Sequence, residues 1–172
     1  LNYQKNNECH GWMGIRFQLR PGSDYHDIIM HVRMLDLDNR LQQEAIGMLG
    51  VNLAYGAFHF HKSPDAFISS LTDSIGEGRV EVDMIEFNGP EFESVDNRIL
   101  CLKLAESGLT QAVMFDNSGY IVQSADELYK KACLIERGSF RPLTKVNIDM
   151  LEKAKDQFSS REDVDKDNIE TF

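Results

Sequence analysis

The chain has 172 residues, 42% apolar and 27% charged, and its 18 Lys+Arg against 28 Asp+Glu leave a formal net charge of −10. A domain of this size buries enough surface to fold without a disulfide or metal, and the composition is neither disordered nor collagen-like. The acidic balance disfavours generic nucleic-acid binding, which needs an excess of cations to neutralise phosphates.

Cys9, Cys101 and Cys133 are too far apart for a disulfide framework or a C-x-x-C pair, and suit a reducing, cytoplasmic compartment. No apolar run approaches the ~18 residues that span a bilayer, so no membrane association is expected. The sequence starts at Leu1, and residues 169–172 turn mildly apolar after the polar stretch 159–168. Both ends read as edges within a larger polypeptide, or as a separate subunit of one.

In chain order, residues 1–11 read as a polar arm. From residue 14, Ile15, Phe17 and Leu19 alternate with Arg16, Gln18 and Arg20, a half-buried strand with a cationic open face. Pro21-Gly22-Ser23-Asp24 breaks it. A second strand over 28–35 sets Met30, Val32 and Met34 against His31 and Arg33, and the short connection makes a hairpin. Residues 36–39 supply capping side chains for a helix over 40–58, with Leu41, Ala45, Met48, Leu49, Asn52 and Leu53 on one stripe. Gly47, Gly50 and Gly56 each cost about 1 kcal/mol against Ala, so this helix is expected to lie close against something. Ser63-Pro64-Asp65 opens a second helix, carrying Phe67, Ile68, Leu71 and Ile75 to Gly76. A strand over 79–87 points Val80, Val82 and Met84 inward and Glu81 and Asp83 outward. Next come a helix over 95–107, two short strands over 111–115 and 120–123 around Asp116-Asn117-Ser118-Gly119, and a short helix over 125–132 opened by Ser124 and Glu127. Thr144 caps a final amphipathic helix over 145–158. The pattern predicts a mixed α/β (α+β) domain over 12–158: a central mixed sheet with hairpins, packed by about five helices. Residues 159–172 read as an acidic polar tail or the start of a following segment.

The densest chemistry lies at 130–145, where Lys130, Lys131, Arg137, Arg141 and Lys145 face one carboxylate, Glu136. Arginine forks, the Gly138-Ser139 turn and the free N–H groups of a helix start together suit a phosphate or carboxylate. The first expectation is therefore a domain binding a phosphorylated small molecule. The alternative is a non-enzymatic scaffold or assembly subunit whose cationic loop docks an acidic protein. No P-loop occurs, and no cofactor is predicted. Across the strands, Arg16, Arg20, His31 and Arg33 would face Glu81 and Asp83. That is an ordinary charged sheet face or, if His31 meets Glu81 and Asp83 in one cleft, an acid–base site. Arg98 in a helix's first turn opposes the dipole, which hints at a neighbouring ligand or acid. His59-Phe60-His61 has no further zinc ligands spaced nearby, so no metal site is expected.

The run Val95-Asp96-Asn97-Arg98 to Leu104, Gly108-Leu109-Thr110, Ala112 to Phe115, Val122-Gln123, Leu128-Tyr129-Lys130-Lys131 and Glu136-Arg137-Gly138-Ser139-Phe140-Arg141-Pro142 resembles the middle of a larger, uncharacterised bacterial protein family. Leu41-Gln42-Gln43-Glu44-Ala45, Gly50-Val51-Asn52 and Glu81-Val82-Asp83 with Phe87 belong to the same resemblance. Members of that family carry automatic labels of nicotinate-nucleotide adenylyltransferase or TonB-dependent receptor. The residues support neither, because nothing alternates over enough strands for a receptor barrel and His59-Phe60-His61 lacks the glycine of an adenylyltransferase histidine motif. The resemblance implies a chain that is part of something longer, and carries over no catalytic residue.

Overall fold

The computed structural model describes residues 9–172. The fold is mixed α/β, and the described chain divides into two compact units, the first ending at Gln123 and the second covering Ser124–Phe172. Each unit closes its own strand pairing.

In the first unit, β1 (Cys9–Gln18), β2 (Tyr25–Met34) and β3 (Val80–Asn88) form an antiparallel sheet in that order. The β1–β2 hairpin runs in unbroken register from Gln18↔Tyr25 to Cys9↔Met34. β1 therefore starts well before residue 14, and Cys9, His10 and Gly11 of the expected arm are strand; the rest of that arm lies outside the described residues. Phe17, Ile28, Met30, Val32 and Met34 point to one face, where they meet Ala45, Leu49, Leu53 and Ala57 of α1 (Asn39–His59). Asp38 caps that helix, its carboxylate accepting from the Arg40 and Leu41 N–H groups.

Of the three helix glycines, Gly56 carries the close approach: a Cβ there would stand 2.9 Å from the ring of Phe67 on α2 (Pro64–Ser70). Gly47 and Gly50 face open space. Asn52 Nδ2 donates to both Leu71 O and Asp73 O at 2.9 Å, tying α1 to the end of α2. α3 (Asn97–Glu106) covers β3 with Leu100, Cys101 and Leu104, and a two-residue hairpin of β4 (Met114–Phe115) and β5 (Ile121–Val122) completes the unit.

β3 departs from simple alternation. Its pairing to β2 slips between His31 and Val32, so Val80 and Val82 are buried in one phase and Ile85 and Phe87 in the other. Met84, expected inward, is displaced by this bulge, which inserts one residue and re-aims its neighbours.

In the second unit the helix expected over 125–132 is a single turn, α4 (Ser124–Glu127). Lys130 adopts φ +55°, and residues 132–134 instead form β6 (Ala132–Leu134), paired in parallel with β7 (Ile169–Thr171). Backbone bonds from Glu136 N to Phe172 O and from Phe172 N to Leu134 O extend that pair. Residues 159–172 are thus not a free tail: their last part is the partner strand. Between the two strands runs α5 (Lys145–Ser159), opened by Thr144 as expected. Among the described residues no helix is long and apolar enough to cross a membrane.

Candidate functional site

Within the second unit the five cations separate into two kinds. Lys131 is consumed: its ammonium donates to Glu127 at 2.6 Å and to Glu170 at 2.9 Å, which holds its pKa above the usual lysine value. Lys130 lies over the Tyr129 ring, 5.1 Å from its centroid, and its carbonyl accepts from Asn168 Nδ2. Arg137, Arg141 and Lys145 are exposed and make no ion pair with any described residue.

The backbone cradle expected between them is not assembled. Gly138 does not adopt positive φ, so successive N–H groups do not converge there. Its missing side chain serves Phe140 instead, because a Cβ would sit 3.0 Å from Phe140 Cζ. At the helix start the Thr144 hydroxyl accepts from Asn147 N, and Asn147 Oδ1 accepts from Thr144 N at 3.0 Å. The capping box uses groups that would otherwise face an anion. Residues 137–145, Ser139 included, lie exposed along the chain.

On the first unit's sheet, opposite charges meet on the face away from the helices. Arg16 forks onto Asp27 with two 2.7 Å bonds, which hold the Asp27 carboxyl below its usual pKa, and Arg33 Nη1 donates to Glu81 Oε2 at 2.8 Å. Arg20 lies beyond the end of β1 and does not join this face. His31 and Asp83 do come together: Nδ1 of His31 is 2.7 Å from Asp83 Oδ1, with both side chains buried. Glu81 does not join them; Thr110 Oγ1 and Arg33 take its two oxygens. Asp83 is the unpaired residue of the bulge, between Val82 opposite Val32 and Met84 opposite His31.

Sequence reasoning missed the third member. Nδ1 of His10 lies 3.0 Å from Nε2 of His31, and the Trp12 ring stands edge-on to His31 at 5.1 Å between centroids. The hairpin register carried the signal: with Gln18 opposite Tyr25, Trp12 falls opposite His31 and His10 one diagonal step away.

No family model, curated protein or solved structure matches the chain.

The remaining sequence candidates resolve locally. Arg98 opposes the helix dipole because it forks onto Asp96, the α3 cap, through Nε at 3.0 Å and Nη2 at 2.7 Å; the fork lowers the Asp96 pKa. His59 and His61 diverge, His59 stacking near Tyr55 at 4.3 Å and His61 lying 6.3 Å from the Phe17 ring. Among the described residues no three His, Cys, Asp or Glu side chains gather as a metal centre would require. Cys101 is buried beside Ile85, and burial pushes its thiol pKa up; Cys133 is half-buried, on the two-stranded β6–β7 pair.

Proposed function

We propose that the 137–145 segment is a docking surface for an acidic protein partner, the second unit serving as an assembly module. The observation that carries this reading is a set of three exposed cations, Arg137, Arg141 and Lys145, which no described residue pairs, in a chain of net charge −10. Exposed apolar side chains interleave with them: Ile135 is 70% exposed, Leu143 60% and Val146 66%. Cations spaced by apolar groups on an open surface suit an acidic amphipathic segment, whose carboxylates meet the guanidinium groups while its apolar side chains cover Leu143 and Val146. A small phosphate site would instead need converging N–H groups, and neither Gly138 nor the capped start of α5 supplies them.

The test compares a fluorescent acidic amphipathic peptide with inorganic phosphate, read by anisotropy and by calorimetry. The docking reading expects peptide binding that weakens with salt and falls at least about tenfold in the Arg137→Glu/Arg141→Glu double variant, while Arg141→Lys changes little. Saturable phosphate binding that Arg141→Lys weakens by roughly 1–3 kcal/mol would overturn it, since only a bidentate site notices that exchange.

A further inference from the structure

The Asp83–His31–His10 chain is not used by the docking surface and has an internal logic of its own. An ionised carboxylate only accepts hydrogen bonds, so at 2.7 Å Asp83 fixes the proton of His31 on Nδ1. Nε2 of His31 is then an acceptor, and the 3.0 Å contact requires His10 to donate from its own Nδ1. The lone pair of His10 is thereby confined to Nε2, the nitrogen not engaged in the chain. His31 is 1% exposed, whereas His10 is exposed. The array thus joins a buried carboxylate to an outward imidazole nucleophile of one defined tautomer. Arg33 lies directly across the strand pair from His10 and sets a fixed cation in that row of the sheet.

We propose that His10 is a phosphoryl-accepting histidine, with His31 and Asp83 as positioning residues that take up the proton released on transfer. With phosphoramidate as donor, the lone pair of His10 Nε2 attacks phosphorus and forms the N–P bond. The donor's P–N bond breaks, and ammonia leaves with the protons it carried. The phosphorylated ring is then cationic, and its Nδ1 proton passes along the existing contact to His31 Nε2. The His31 imidazolium so formed faces the Asp83 carboxylate, which stabilises it. The substrate class is a small activated phosphoryl donor, a phosphoramidate or an acyl phosphate, able to reach an open sheet face.

His59 provides an internal reference, being exposed with its ring against Tyr55 on the same helix. Incubation of the full chain with phosphoramidate, followed by site-resolved mass spectrometry and NMR of the phosphohistidine isomer, is expected to show His10 modified about tenfold faster than His59, with phosphorus on Nε2. Asp83→Asn keeps an acceptor for His31 Nδ1 but removes the charge that holds the imidazolium. It should bring the His10 rate down towards that of His59, with near-UV circular dichroism unchanged. Equal rates at His10 and His59, phosphorus on Nδ1 of His10, or an undiminished rate in a folded Asp83→Asn variant would each overturn the proposal. If that variant unfolds, the rate ratio and isomer measured on the unaltered chain still decide it.

Discussion

Replacing Gly56 by Ala should destabilise the first unit, although the same exchange at Gly47 should stabilise it. All three glycines sit inside α1, where Ala is better than Gly by about 0.8–1.0 kcal/mol. At Gly47 nothing lies within 4 Å of a new Cβ, so the whole gain is realised. At Gly56 the methyl would stand 2.9 Å from Cδ2 and Cε2 of Phe67 and 3.4 Å from Ser70 Oγ. Carbon atoms prefer roughly 3.5–4.0 Å, so the ring has to yield by more than half an ångström. It has nowhere to go: Phe67 is fully buried and its ring meets Phe87 edge-on at 5.0 Å. Overpacking of this kind costs about 1–3 kcal/mol, which outweighs the helix gain and leaves a net loss of roughly 1 kcal/mol. The difference between the two variants isolates the overpacking cost. Urea unfolding followed at the single tryptophan, Trp12, and by far-UV circular dichroism gives both shifts. If Gly56→Ala raises the midpoint as much as Gly47→Ala does, the close α1–α2 packing is refuted.

Thiol labelling under native conditions should proceed in the order Cys9, Cys133, Cys101, following their exposure, with Cys101 reacting only on unfolding; early loss of the Cys101 thiol would contradict its burial. Asp27, Glu91 and Asp96 have folded pKa values below their ordinary ones, held there by hydrogen bonds from Arg16, Lys62 and Arg98. Their stabilisation is complete above the unfolded carboxylate range near pH 4 and is lost as pH falls through the lower folded values, so acid titration should show stability falling below about pH 4 and a smaller fall in 1 M salt. Thr144→Ala removes the side-chain acceptor of the α5 capping box and should weaken that helix by about 1 kcal/mol, seen as faster amide exchange in its first turn and not at Cys101.

Much of the first unit can be read from the chain because its patterns are local. Asp38 and Asp96 cap the helices that they precede, and Met30 to Met34 alternate apolar with polar in the sequence. Most of the misreadings share one cause, a residue whose role is set by a partner distant in sequence. Nothing in Cys9-His10-Gly11-Trp12-Met13 alternates apolar with polar, so the first half of β1 becomes visible only through its pairing with β2. Ala132-Cys133-Leu134 suits a helix until Ile169 to Thr171 claim it as a strand. No Gly or Pro flags the bulge at Asp83; the pattern there offers either a charged sheet face or His31 meeting both Glu81 and Asp83, and only pairing distant in sequence separates Asp83, which meets His31, from Glu81, which does not. At 130–145 the cluster of cations was legible; that Lys131 is spoken for, and that Gly138 accommodates a ring and not a nest, depends on Glu170 and Phe140.

The bulge also makes β3 a seam between two reading frames in space. Upstream of Asp83 the even-numbered residues Val80 and Val82 feed the core; downstream the odd-numbered Ile85 and Phe87 do. Each half can drift in sequence under its own parity rule. Removing Glu86, however, shifts the phase beyond it and turns Phe87 toward the charged face. The strand therefore tolerates exchange of letters far better than loss of one, and the offset that shelters Ile85 and Phe87 falls at Asp83, the residue whose carboxylate His31 meets.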